Sequence, residues 1–235
     1  MASGSRHHRR QGQSAKSARL MMQMSELAWQ ANEPVMGHSE DVSPAHDERL
    51  NHVAELIVAS GAKSVVDLGC GSGALLQRLL SRSAFEQIVG VDPSLPALAL
   101  AQSIKSISQC RFLHGSFISN ELNLCGFDAA AMIETIEHVL PGQLSRVEHT
   151  VFSYWRPKLV VMTTPNSEYN PVLGLASDEF RHSDHKFEWD RQKFHSWASG
   201  VAERNHYQVC FEYIGPKDPI LGSSTQMAVF TSTHP

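Results

Sequence analysis

The stretch MIETIEHVL, residues 132–140, places Glu134, Glu137 and His138 within five positions, directly after the apolar run FDAAAMI. Two carboxylates and an imidazole form a mixed oxygen and nitrogen donor set that suits Mn²⁺ or Mg²⁺ and does not exclude Zn²⁺ or Fe²⁺. Their i, i+3 and i+4 spacing predicts one shared face on a helical turn. The triplet alone also fits a blander role, because a glutamate in such a loop often contacts a cofactor or caps a helix. Downstream, RHSDHKFEW supplies His182 and His185, either of which could complete an ion site.

A second constellation is VVDLGCGSG, in which an apolar strand runs into Gly69, Gly71 and Gly73. Such glycines permit a tight turn and let a ligand approach the backbone at the start of the next helix. With Ala74 the stretch also satisfies the loose dinucleotide pattern, which by itself is weak. Asp67 shifts the balance: a carboxylate at that strand end repels a pyrophosphate but suits the cationic amino group of S-adenosylmethionine. At the end of the next strand, Asp92 in VGVDPS lies at the spacing expected of a residue that accepts hydrogen bonds from two ribose hydroxyls. This arrangement resembles class I S-adenosylmethionine-dependent methyltransferases. The resemblance implies a Rossmann-like, seven-stranded, mostly parallel sheet with helices on both faces.

The elements that must position these residues alternate as an α/β domain requires. SPAHDERLNHVAELIVASG has Ser43 as N-cap, Pro44 in the first turn, helical spacing through Leu50, Val53, Ala54 and Ile57, and Gly61 near its end. Then follow the strands SVVDLG, IVGVD, RFLHG, FDAAAMI and KLVVMTT, with helices through ALLQRLL, LPALALAQ and GQLSRVEHTVF between them. A helix through DRQKFHSWASGVAERN precedes the closing strands YQVCFEYIG and TQMAVFTS. Open α/β sheets bind ligands at their carboxyl edge, so Glu134, Glu137 and His138 are expected at the mouth of the site.

Composition narrows the class further. A chain of 235 residues, 42% hydrophobic and 19% charged, is long enough for one sizeable core. No run approaches the roughly 18 apolar residues of a membrane span, and no secretory h-region is evident, so no membrane association and a cytoplasmic location are expected. Cys70, Cys110, Cys125 and Cys210 are far apart and form no CxxC pair, which suggests a reducing compartment. Residues 1–20 carry Arg6, Arg9, Arg10, Lys16 and Arg19 and no acidic residue, so 1–30 reads as a disordered basic tail and 31–235 as one catalytic domain. The remainder is acidic, so any nucleic-acid contact must be local.

IETIEH, TTPNSEYNP and RHSDHKFEWDRQKFHSWA, in this order after DLGCG, resemble the HEN-type small-RNA 3′-terminal 2′-O-methyltransferases, and more the short animal piRNA enzymes than the larger plant and bacterial ones. By that resemblance Glu134, Glu137, His138 and His185 are the ligands of Mn²⁺ or Mg²⁺, and Ser116 in HGSF joins Asp92 in holding the methyl donor. It implies methylation of the 2′-hydroxyl at the 3′ end of small single-stranded RNA, with an Argonaute/Piwi-type protein as the partner that presents the end. One departure stands out: the family's F-x-P-P-L-x-x-Q-R segment is reduced here to VSPAHDER, which keeps one Pro and Arg49.

A ribose hydroxyl is barely ionised near neutral pH, and direct coordination to a cation stabilises the developing alkoxide. His138 or His185 could take the proton. Arg181, Lys186, Arg191 and Lys193, with Phe187, Trp189 and Tyr169, could clamp phosphates and stack a terminal base. Equally, Phe187, Trp189, Phe194 and Trp197 could pack the helix onto the sheet. A metal-assisted O-methyltransferase of catechol-like diols and a non-catalytic binding module remain as alternatives.

Overall fold

The computed structural model describes residues 44–176 and 178–233; the expected basic tail and Ser43 lie outside the described residues. Helix α1, Pro44–Ala59, buries Leu50, Val53, Ala54 and Ile57, the stripe that its apolar spacing predicts. Strand β1, Ser64–Leu68, leads through the glycine turn into α2, Ala74–Arg82. Next come β2, Gln87–Asp92, then α3, Leu95–Ser103, capped by the Ser94 hydroxyl, then β3, Arg111–His114, and β4, Ala129–Ile133. After a short 3₁₀ turn at Ile136–His138, α4 runs from Leu144 to Val147 and continues to Trp155 with its turns widened to i→i+5 bonds. The second half holds β5, Leu159–Pro165, α5, Arg191–Asn205, β6, Tyr207–Ile214, and β7, Thr225–Ser232.

The seven strands form one sheet in the order β3-β2-β1-β4-β5-β7-β6. All neighbours pair in parallel except β7, which is antiparallel to both β5 and β6. Because the chain winds outward from β1 in one direction and from β4 in the other, the crevice between their carboxyl ends is where ligands bind in such sheets. Two-residue alternation distributes side chains to opposite layers. Val66, Ala130, Val160 and Met162 pack with Phe152, Trp155 and Phe194 on one face, while Val65, Ala129, Ala131 and Val161 pack with Leu50, Leu76 and Leu98 on the other. No helix among the described residues is long and apolar enough to cross a membrane.

Asp128, just before β4, pins the opposite ends of the strands that flank the crevice. Its Oδ2 accepts from the Lys63 and Ser64 backbone N–H groups at 2.9 and 3.0 Å, while Oδ1 accepts from Lys158 Nζ at 2.7 Å. This fixes Val65 opposite Ala129 and Ala129 opposite Leu159, so that the three strand exits align. The expected strand began at Phe127. It starts at Ala129 because Asp128 is committed to this clasp.

The Lys158 ammonium and then the backbone donors hold the Asp128 carboxyl well below the usual carboxylate range. A lowered folded-state pKa stabilises the fold above the unfolded value, near 4, and that contribution is lost as the pH falls through the folded value. Asp128→Ala is therefore expected to cost about 2 kcal/mol in urea unfolding at pH 7. The difference from the wild type should shrink steadily as unfolding is repeated in acid.

Candidate active site

At the exit of β1, the Gly69 and Cys70 N–H groups donate to Val91 O at 2.8 and 3.0 Å, turning the chain back over β2. Gly69 has φ +86°, and a Cβ there would lie 2.4 Å from Thr135 Cγ2. Glycine is thus what lets the exits of β1 and β4 approach each other. Gly73, the N-cap of α2, has φ +84°, and a Cβ there would lie 2.5 Å from Ile107 Cδ1. The Gly71 N–H instead donates to Asp92 Oδ2 at 2.8 Å, and Asp92 Oδ1 accepts from Ser94 N at 2.7 Å. Each carboxylate oxygen keeps capacity for a second bond.

A cavity of about 390 Å³ opens beside this turn, bordered by Gly69, Asp92, Ser116, Glu134, Thr135 and His138. The structure therefore brings three of the six expected donor-binding residues, Gly69, Asp92 and Ser116, and two of the four expected ion ligands, Glu134 and His138, to one space. Thr135, Gln143 and Asp184 also border it, and the sequence reading gave none of them a role. Asp67 lies beneath, 2% exposed; burial, then the charge of Asp92, pushes its pKa up to about 7.

Glu134, Glu137 and His138 do not share a helical face. Glu134 has φ +51°, which reverses the chain at the end of β4 before the 3₁₀ turn begins. A left-handed backbone costs a non-glycine residue about 1–2 kcal/mol, and here the surroundings hold it. The Glu134 N–H donates to Thr163 O at 3.1 Å, Thr163 Oγ1 donates to Glu134 Oε1 at 2.9 Å, and Arg49 Nη1 lies 3.4 Å from Oε2. Glu137 is fully buried. Its Oε2 accepts from Thr164 Oγ1 at 3.0 Å, whereas its Oε1 has no partner. Burial, and then the charge of Glu134, pushes the Glu137 pKa well above the usual carboxylate value.

The downstream loop is tied to this turn by a bond from Lys186 N–H to Glu137 O at 2.7 Å. One nitrogen from each of His138, His182 and His185 lies within 4.8 Å of the others, so the structure gathers both downstream histidines. The Glu134 and Glu137 carboxylates are outside that close gathering, held by the β5 threonines. His138 Nδ1 lies 3.1 Å from Asp184 Oδ2, and His185 Nδ1 lies 2.5 Å from Glu188 Oε1. The Glu188 side chain is fully buried and also accepts from Arg181 N–H and Asn170 Nδ2. A carboxylate behind the His138 and His185 rings fixes their tautomers, as is usual for histidines that hold metals. His185 and Glu188, at i and i+3, were the available sequence signal for this partnership.

Arg181 does not serve as a phosphate clamp. Its guanidinium donates to Asn170 Oδ1, Ser224 O and Asn166 O, and burial lowers its pKa. Arg191 is held by both oxygens of Glu168, and Lys186 by Asp184. Phe187 and Phe194 are buried in the core, while Trp189 and Trp197 pack partly buried against it, as the packing alternative expected. Lys193 is exposed, so less of the basic cluster is available for phosphates than its composition suggests.

The strand order, the glycine turn with Asp92 behind it, and the cavity at the switch point define a class I S-adenosylmethionine-dependent methyltransferase domain. Residues 65–158 match the family described as "Methyltransferase domain". The chain belongs to the small-RNA 2′-O-methyltransferase family. It is 38% identical to the methyltransferase domain of bacterial CtHen1, with a TM-score of 0.71, across 80% of this chain and 99% of that one. Against the small RNA methyltransferase HEN1 the identity is 31% and the TM-score 0.77, across 87% of this chain and 27% of that one. The small RNA 2′-O-methyltransferase of Rattus norvegicus is 36% identical across 80% of this chain and 51% of its own length. The chain thus spans about half the length of that relative.

Asp67 is expected to pair with the donor's ammonium group, which requires its ionised form. Between the ordinary carboxylate value and about 7 the folded, ligand-free protein holds a proton there that the unfolded chain releases. This group therefore lowers the ligand-free stability as pH rises through that window, and binding of a cation offsets the loss. Calorimetric titration with S-adenosylhomocysteine should show roughly tenfold tighter binding at pH 8 than at pH 6. Asp67→Asn should bind weakly with no such dependence.

Proposed function

We propose that the protein transfers the methyl group of S-adenosylmethionine to the 2′-hydroxyl of the 3′-terminal nucleotide of small single-stranded RNA, with a divalent cation at the mouth of the donor cavity. The observation that carries this reading is Glu137, buried with one carboxylate oxygen unpartnered, near the charge of Glu134 and on the turn to which the histidine-bearing loop is hydrogen-bonded. Such a donor set fits Mn²⁺ or Mg²⁺, and a cation is what a sealed carboxylate lacks. Glu134, Glu137, His138 and His185 are the proposed holders. When bound, the ion would polarise the sugar oxygens and favour a free terminal diol.

The chain's own residues supply the rest. Asp92, Ser116 and the glycine turn orient the donor, and Asp67 carries the counter-charge to its ammonium. His138 and His185 each anchor Nδ1 on a carboxylate, which leaves each Nε2 with one lone pair; the ring that takes the hydroxyl proton does so with that lone pair, and is then no longer a holder of the ion. The hydroxyl oxygen bonds to the methyl carbon as the sulfonium bond breaks, and the sulfur keeps the electron pair. Alignment of oxygen, carbon and sulfur by these fixed groups supplies much of the rate.

Because Arg181, Arg191 and Lys186 are already engaged within the protein, few charges remain to grip the RNA backbone. Recognition of the end with little sequence preference follows, and a protein of the Argonaute/Piwi type that presents piRNA-like ends would supply the selection.

Labelled donor and Mn²⁺ should be offered with RNA ending in a 2′,3′-diol, a 2′-deoxy nucleotide or a 3′-phosphate, and with a small catechol. Label on the diol-ended RNA alone, together with resistance to periodate, is the expected outcome. Label on the catechol alone would instead establish a small-molecule O-methyltransferase.

A further inference from the structure

The three clustered imidazoles are not chemically equivalent, and their hydrogen bonds sort them. A neutral imidazole has one N–H and one lone pair, so fixing the role of one nitrogen fixes the other. His138 Nδ1 faces Asp184 Oδ2 and His185 Nδ1 faces Glu188 Oε1. An ionised carboxylate can only accept, so both Nδ1 atoms carry the hydrogen and both Nε2 atoms hold lone pairs. His182 is the opposite case. Its Nδ1 lies 3.1 Å from the backbone N–H of Asp184, and a backbone N–H can only donate. His182 Nδ1 is therefore the acceptor, which leaves Nε2 as the N–H.

An imidazole in that tautomer has no free lone pair to give an ion. Its ring stands 6.0 Å from His138 and 5.6 Å from His185, centroid to centroid, and it is exposed. His182 thus presents an N–H donor beside the space in which the ion and the reacting sugar are proposed to meet. Asp184 sits at the centre of this division. Its amide sets one ring and its carboxylate the other, and Lys186 Nζ holds the second carboxylate oxygen at 2.8 Å.

We propose that His182 is a substrate-contacting donor, outside the ion's ligand set, whose Nε2–H binds an oxygen of the terminal nucleotide of the RNA. This rests on the reading of the site as an RNA 2′-O-methyltransferase. The structure thereby gives the histidines of RHSDH two different tasks: His185 faces the ion and His182 faces the acceptor.

The test separates ion binding from RNA binding. Binding of Mn²⁺ alone, followed by the electron paramagnetic resonance of the free ion, is measured for the wild type, His185→Ala and His182→Ala. His185→Ala should lose about tenfold or more in affinity, as removal of a metal-site residue does. His182→Ala should stay within about twofold of the wild type, the amount expected when no ligand is lost. Methylation of diol-ended RNA is then measured at saturating Mn²⁺. His182→Ala should raise KM about five- to tenfold, the size of one lost hydrogen bond, and His182→Gln, which retains a side-chain N–H, should recover most of it. The proposal is overturned if His182→Ala costs as much Mn²⁺ affinity as His185→Ala, or if it leaves the RNA kinetics unchanged. A wild-type protein that methylates no RNA would overturn the functional reading instead, and the manganese measurements would still decide whether His182 is a ligand.

Discussion

The site depends on a carboxyl group that the fold seals from water and satisfies on one side only. Glu137 has no exposed surface, accepts one hydrogen bond from Thr164, and leaves Oε1 without a partner. A buried polar atom in this condition costs about 1–3 kcal/mol, and more when it is charged. Asp128, Glu168 and Glu188 are each clasped by several donors, and the contrast with Glu137 is what supports the proposed cation. The raised pKa of Glu137 is the same fact in another form: burial and then the charge of Glu134 disfavour its ionised form.

Adjacent threonines on β5 build the arrangement. Alternation along a strand sends consecutive side chains to opposite faces, so Thr163 reaches Glu134 while Thr164 reaches Glu137. The left-handed turn at Glu134 keeps that residue out of the 3₁₀ turn that carries Glu137, yet leaves its charge near enough to raise the Glu137 pKa. Gly69 matters for the same reason. Only without a Cβ there can Thr135 come close enough to bring the donor turn and the carboxylate turn to one cavity.

Much of this was legible in the sequence. Apolar alternation marked the strands, and the spacing from VVDLGCGSG to Asp92 marked the donor side, because those signals are local and periodic. The features that escaped depend on partners distant in the chain. Arg181 reads as a surface cation, yet the carbonyls of Asn166 and Ser224 bury it. Helical spacing at Glu134 to His138 suggested one face, but the β5 threonines impose a turn that spacing cannot reveal. Asp184 and Glu188 sit inside a motif read for its histidines, and their work appears only when the rings they orient are seen together.

The most direct measurement is the thermal unfolding of the wild type and of Glu137→Gln with increasing Mn²⁺, in the absence of RNA and methyl donor. The account predicts that the ion raises the melting temperature of the wild type by several degrees and leaves that of Glu137→Gln unchanged. An equal rise in both proteins, or none in the wild type, would contradict it.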